Sequence, residues 1–179
     1  LSLEEKNDLS LNYRPYQYYQ GNDQVRLLNG EVLLSQTGGK VSIHFLNDVL
    51  KRTGEQCITE VQFLNPIKDP EIAAKKQSIL DVLCQEKSGC QFIIEMQVAK
   101  LTGFKQRAIY YASRAYVNQM VKGGKYEHLK EVIFIAIIDY ELFPHKEHYH
   151  STHQVCDQVT HECDLPELRF EFLELPRFK

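Results

Sequence analysis

The chain has 179 residues, enough for one domain with a sizeable core. Its apolar fraction of 43% and charged fraction of 25% are those of a globular protein and exclude a fibrous or low-complexity chain. The formal net charge of -3 does not indicate a nucleic-acid-binding protein, so any such binding would depend on a local basic surface.

The chain shows no signal for membrane insertion or export. No apolar run reaches the length of a membrane span, and no signal peptide opens the sequence, so we expect a cytoplasmic protein that does not associate with membranes. The cysteines are odd in number and have no C-x-x-C spacing, which predicts free thiols in a reducing cytoplasm. They are Cys57, Cys84, Cys90, Cys156 and Cys163.

The first part of the chain has the weakest pattern. Residues 1–40 include a tyrosine-rich polar stretch at 13–19, for which we favour packing in an interface or small core over base stacking. An apolar stripe predicts a helix over 41–52, and alternation predicts a strand over 57–64. Glu60 is the only acid of that strand, and a solvated position is favoured over a metal ligand.

The stretch 79–98 predicts a β-hairpin. Apolar residues recur with a period of two on both sides of the polar turn 86–89, which is typical of strands. Apolar residues also occur on both parities of each strand. Both faces of this hairpin are therefore expected to be covered.

Two carboxylates lie inside these apolar strands, where a charge is costly unless it is paired. If the hairpin centres on Ser88, Asp81 lies opposite Glu95, and a shift of one residue places Asp81 opposite Gln97 instead. Facing carboxylates repel each other, so a compensating charge is expected. A divalent metal ion would supply it, and these oxygen ligands suit Mg²⁺, Mn²⁺ or Ca²⁺.

A long helix follows the hairpin. We predict it over 102–122, with basic side chains that include Lys105, Arg107 and Lys122. Because only a short loop separates the hairpin from this helix, the first helical turn should lie near the hairpin, where Lys105 and Arg107 could face a phosphate. A solvated basic face is an equally open interpretation for these two residues. For Lys122 we favour the solvated face.

The last third of the chain predicts three more strands. The apolar run 131–139 predicts a buried central strand, and strands follow at 149–155 and 168–175. The tract 143–163 is rich in histidine, but it lacks the ligand spacing of a closed zinc site. A hairpin edge is therefore favoured over structural zinc.

Five blocks occur in an order that resembles the PD-(D/E)XK nuclease superfamily, and most closely its transposase-like branch of recombination-promoting nucleases. One block alone would be weak evidence for this resemblance, whereas five blocks in the same order are specific evidence for it. The blocks are FLNDVL (45–50), SILDV (78–82), FIIEMQ (92–97), FKQRAIYYASRAYVNQMVKGGKY (104–126) and ELPRFK (174–179).

The resemblance implies an α/β fold: a restriction-endonuclease-like core with a mixed sheet flanked by helices. The first three core strands would form an antiparallel meander, and the fourth would join through the long helix. The domain would cover 41–179. The usual opening block of the family, D-x-x-F-K-x-x-F-G, has no counterpart in 1–40, which predicts a divergent N-terminal segment.

The resemblance also implies a site and an activity. Asp81, Glu95 and the backbone carbonyl of Met96 would bind Mg²⁺ or Mn²⁺, with Asp81, Glu95 and Gln97 as the catalytic set. Gln97 replaces the commoner Lys and can orient water, although it cannot accept a proton. Lys105 or Arg107 would supply the missing positive charge and bind substrate.

Two classes of function follow from the resemblance. The first is a transposase-associated, metal-dependent DNA endonuclease acting in DNA recombination, with DNA as partner and a homodimer as one expected assembly. The second is a non-catalytic descendant that binds nucleic acid or protein on the same fold. The acids favour the first class, and the missing opening block favours the second.

Overall fold

The computed structural model describes residues 26–28, 31–33, 39–64 and 82–178. The tyrosine-rich stretch 13–19 and Asp81 lie outside these residues. The helices are α1 (Gly39–Val49) and α2 (Phe104–Asn118). The strands are β1 (Arg26–Leu28), β2 (Glu31–Leu33), β3 (Val61–Phe63), β4 (Val82–Glu86), β5 (Gln91–Gln97), β6 (Val132–Ile138), β7 (His150–Val155) and β8 (Leu165–Glu174).

Six of these strands form one mixed sheet in the order β3-β4-β5-β6-β8-β7, and β1 pairs with β2 separately. Strands β3, β4 and β5 form an antiparallel meander. Strand β6 lies parallel to β5 after the crossover through α2, and β8 lies parallel to β6. The predicted α/β fold with its meander and crossover is therefore confirmed.

The central strand β6 is buried along its whole length. The sheet has one core on each face, because side chains alternate along every strand. On the α1 face, Leu46 packs in a cluster with Ile94 and Ile135. On the α2 face, Phe104 packs in a cluster with Phe134. Each fully buried apolar side chain contributes about 1.5–3 kcal/mol, so these two layers stabilise the sheet that carries the site.

The strand predicted over 57–64 is shorter in the structure and begins only at Val61. The side chain of Asn47 on α1 explains the difference, since it accepts a hydrogen bond from the Ile58 amide and donates one to the Ile58 carbonyl, at 2.8 and 2.9 Å. These backbone groups are satisfied by a helix instead of a neighbouring strand. Glu60 lies before the strand and is exposed.

The prediction that all cysteines are free was wrong for two of them. Cys156 and Cys163 form a disulfide that closes the loop between β7 and β8. The antiparallel pairing of these strands brings the two cysteines together. A C-x-x-C spacing relates only near neighbours in sequence, so it could not indicate this disulfide. Free thiols are confirmed for Cys57, Cys84 and Cys90.

The histidine-rich tract forms an edge of the sheet, as predicted. Strand β7 carries His150 and His153 and pairs with β8 at the end of the strand order. Neither of the described helices combines the length and apolar character that crossing a lipid bilayer requires.

Candidate active site

The hairpin of β4 and β5 has the register that places its centre at Ser88. Val82 pairs with Ile94, and Cys84 pairs with Phe92, so the described pairs are symmetric about that residue. The turn reaches this register through Gly89, whose φ of +97° lies in the left-handed region. Of the two alternatives for the hairpin, the one centred on Ser88 is therefore the observed one.

Glu95 lies near the carboxyl end of β5 and is buried, with 2% of its surface exposed. It pairs with Ala136 on β6, and Ala136 belongs to the cluster of the α2 face. Arg107 meets it from α2, with its Nη2 atom 2.7 Å from Glu95 Oε1. A buried carboxylate is costly without such a partner, so this ion pair compensates much of that cost.

The position of Arg107 follows from the start of α2. Gly103 precedes the helix in the left-handed region, with φ +80°, and turns the chain sharply after β5. The apolar stripe of α2 then packs on the sheet and includes Phe104 and Ala108. Because Arg107 is adjacent to this stripe, its side chain reaches the sheet, whereas Lys105 is exposed.

Gln97 and Met96 lie on opposite faces of β5. Gln97 has the same parity as Glu95 and is half-buried, and its carbonyl accepts a hydrogen bond from the Asp139 amide at 3.0 Å. The side chain of Met96 packs against the α1 core. Any role for Met96 near Glu95 must therefore come from its backbone.

A second buried acid on the same face was not assigned a role from the sequence. Glu174 ends β8, is 1% exposed, and pairs with Ile138 on β6. Its Oε1 accepts hydrogen bonds from the amides of Leu142 and Phe143, the latter at 3.1 Å. Glu174 thus holds the loop that follows β6, and its presence in the block ELPRFK was the sequence signal for it.

Glu174 is also linked to Arg177 in the turn after β8. The Nε atom of Arg177 lies 3.6 Å from Glu174 Oε2, and its Nη2 atom lies 3.0 Å from Glu141 Oε2. Nη2 also donates to the Phe143 carbonyl at 3.3 Å. The guanidinium group of Arg177 therefore links the turn after β8 to the loop after β6.

Tyr140 lies in the electrostatic field of the two buried acids of the α2 face. Its ring packs edge-on against Phe104, with centroids 6.4 Å apart. Burial raises the pKa of the Tyr140 hydroxyl, a backbone hydrogen bond with Leu101 lowers it, and the carboxylates of Glu95 and Glu174 raise it by smaller amounts. Since both acids act on one hydroxyl, Glu174 and Tyr140 belong to the surroundings of Glu95.

The family model described as PD-(D/E)XK nuclease family transposase matches residues 32–179. The chain belongs to this family. The mixed sheet with a helix on each face agrees with the restriction-endonuclease-like fold of PD-(D/E)XK proteins. The match begins inside the segment 1–40, so the division of the chain at residue 41 stays a prediction. Searches of curated proteins and of solved structures gave no match.

PD-(D/E)XK nucleases typically use divalent metal ions, and the oxygen donors near Glu95 fit a hard cation. The available donors are the Glu95 carboxylate, the Gln97 amide oxygen and the Met96 carbonyl. Within the part of the chain that the structure describes, no three His, Cys, Asp or Glu side chains form a metal-binding group. The chemistry of these oxygen donors therefore fits Mg²⁺ or Mn²⁺.

Proposed function

We propose that this PD-(D/E)XK family member is a metal-dependent DNA endonuclease of the transposase-associated kind, which hydrolyses phosphodiester bonds. The observation that carries the proposal is the buried carboxylate of Glu95 in a hairpin centred on Ser88. If that register continued by one residue, Asp81 would lie opposite Glu95. Two acids would then face each other on the α2 face.

Asp81, Glu95 and the carbonyl of Met96 are the proposed ligands of Mg²⁺ or Mn²⁺. When bound, such an ion lowers the pKa of a water molecule and neutralises charge that develops on the phosphate. Gln97 lies on the same face as Glu95, and its amide would orient the attacking water by hydrogen bonding. It is not the general base, because a neutral amide does not accept a proton.

Arg107 and Lys105 have different proposed roles. Arg107 holds the Glu95 carboxylate in position through its 2.7 Å ion pair, and its remaining donors would face a bound phosphate. Lys105 is exposed near the start of the same helix and would bind the DNA backbone. Both residues give the helix a positive end towards the proposed substrate.

The second candidate function is a non-catalytic DNA-binding or protein-binding descendant. One structural observation favours it: the ion pair with Arg107 already compensates the charge of Glu95, so this buried acid is stable without a metal ion. The missing opening block of the family favours it as well. The two candidates differ in whether the protein cleaves DNA.

A plasmid-nicking assay with Mg²⁺ or Mn²⁺ tests the proposal. We expect the wild type to nick supercoiled DNA weakly with little sequence preference, and Asp81→Asn and Glu95→Gln to abolish nicking. Gln97→Ala should reduce the rate less, because Gln97 orients water without carrying charge.

Glu86→Gln is the matched control for this assay. Glu86 ends β4 at the opposite end of the hairpin and pairs with Arg52 at 2.8 Å, so its substitution also breaks a hairpin ion pair. The control should nick DNA like the wild type. Nicking that persists in Asp81→Asn and Glu95→Gln would refute the site, and a folded wild type that never nicks would favour the non-catalytic function.

A further inference from the structure

Two lysines from different parts of the chain meet at one aromatic ring. Lys105 comes from the first turn of α2, and Lys146 comes from the loop after β6. The Nζ atom of each lies 5.4 Å from the centroid of the Phe143 ring. We call Lys105 and Lys146 the lysine pair. Cation–π contacts of this kind hold each ammonium group near the ring.

The ring that carries the lysine pair is itself fixed in place. His153 stacks on Phe143 with centroids 4.8 Å apart, and Phe172 meets the ring edge-on at 5.1 Å. The backbone amide of Phe143 donates to the buried Glu174 carboxylate at 3.1 Å. The lysine pair is therefore presented by a rigid support, which lowers the entropy cost of binding a ligand.

No carboxylate of the described residues neutralises the charge of the lysine pair through an ion pair. Among the residues that the structure describes, neither Lys105 nor Lys146 forms an ion pair with a carboxylate. Burial lowers the pKa of His153, and the charges of Lys146 and Lys105 also lower it. Glu171 opposes this effect but already binds Arg169 and His150. The described groups around this ring therefore carry a net positive charge, which would attract an anion.

We propose that the lysine pair binds a phosphate of the DNA backbone away from the scissile bond. This inference deepens the proposed function and rests on DNA being the substrate. Phe143 packs on the α2 face over Phe172 of β8, two strands from Glu95 on β5. Two strand spacings are about 10 Å, which is roughly three base steps along the axis of the duplex. The lysine pair positions the duplex and reads no base sequence.

Fluorescence anisotropy with a labelled DNA duplex tests the inference. Binding is measured with the full chain in EDTA, which prevents cleavage, at about 50 to 200 mM salt. We expect Lys146→Gln and Lys105→Gln each to lower the salt slope of log Kd, and the double variant to lower it by about 0.9, because the pair binds one phosphate. The ratio of double-variant to wild-type Kd should then shrink about threefold to fourfold as the salt concentration rises across this range.

Lys122→Gln is the matched control, because it removes the same charge from an exposed position beyond the end of α2. It should keep the wild-type slope. Equal slopes for Lys122→Gln and Lys146→Gln, or a wild type that binds no duplex, would overturn the inference. Thermal unfolding followed by circular dichroism confirms that each variant is folded.

The outcomes separate this inference from the proposed nuclease activity. A wild type that nicks plasmid DNA while Lys146→Gln keeps the wild-type slope would overturn the inference and leave the nuclease proposal intact. A wild type that never nicks, but whose slope falls in both lysine variants, would support the phosphate site and refute catalysis.

Discussion

Three carboxylates are buried in the sheet, and each has a different kind of partner. Glu95 pairs with the Arg107 guanidinium, whereas Glu174 accepts hydrogen bonds from backbone amides of the loop after β6. Glu171 is bound by side chains of its own strand β8 and of the edge strand β7. At the scale of single residues, each buried carboxylate of the sheet thus has partners that hold a neighbouring segment in place.

Removing the carboxylate of Glu174 should destabilise the loop after β6. In Glu174→Ala, the amides of Leu142 and Phe143 lose their acceptor, and we expect the free energy of unfolding to fall by about 2 kcal/mol. Urea denaturation measures this change. Glu147→Ala, which removes an exposed acid of the same loop, should change it by less than about 0.5 kcal/mol. Equal losses in both variants would contradict this role of Glu174.

Glu171 should make stability depend on pH. Burial raises the pKa of Glu171, but hydrogen bonds from His150 and Thr152 and the charge of Arg169 outweigh burial, so the pKa lies below its ordinary value of 4.5. A lowered pKa in the folded state stabilises the protein above pH 4.5, and this contribution disappears as the pH falls through the folded-state pKa.

The comparison of wild type with Glu171→Gln tests this dependence. Urea denaturation should show that the wild type has a higher free energy of unfolding than Glu171→Gln, by a constant amount between about pH 5.5 and 7. This difference in the free energy of unfolding should decrease as the pH falls below about 4.5. If the difference in the free energy of unfolding stays constant at acid pH, the carboxylate of Glu171 does not cause the pH dependence of stability.

At the scale of elements, the β4–β5 hairpin determines the geometry of the site. Its register depends on Gly89, where an added Cβ would lie 2.9 Å from Lys130 Cγ and where φ is +97°. Gly89→Ala should therefore combine backbone strain with a steric clash, and we expect a loss of about 2–3 kcal/mol in the free energy of unfolding.

Gly123→Ala separates the two effects. Gly123 has φ +80°, but an added Cβ would meet no atom within 4 Å, so only the backbone strain of about 1–2 kcal/mol should remain. Thermal or urea unfolding of both variants gives the comparison. If Gly89→Ala costs no more than Gly123→Ala, the close contact with Lys130 does not constrain the hairpin.

Most elements could be predicted from local patterns, because period and turn chemistry are local properties. Alternation and a polar turn predicted the hairpin, and an unbroken apolar run predicted the buried strand β6. The strand near 57–64 was too long in the prediction, since the contact of Asn47 with Ile58 joins residues that no local pattern relates.

At the scale of the whole molecule, the fold could be predicted from five ordered blocks, but the contacts between them could not. Glu95 and Arg107 were both candidates, yet their ion pair depends on how α2 crosses the sheet. Glu174 belonged to a block but had no assigned role, because its hydrogen bonds join β8 to a loop that is distant in sequence. The disulfide was missed because it depends on the antiparallel pairing of β7 and β8.

The central claim is that Asp81 and Glu95 share one divalent ion, and calorimetric titration with Mn²⁺ tests it most directly. The wild type and Glu86→Gln should bind Mn²⁺, whereas Asp81→Asn and Glu95→Gln should each lose binding while remaining folded by circular dichroism. Unchanged Mn²⁺ binding in both Asp81→Asn and Glu95→Gln would contradict the claim.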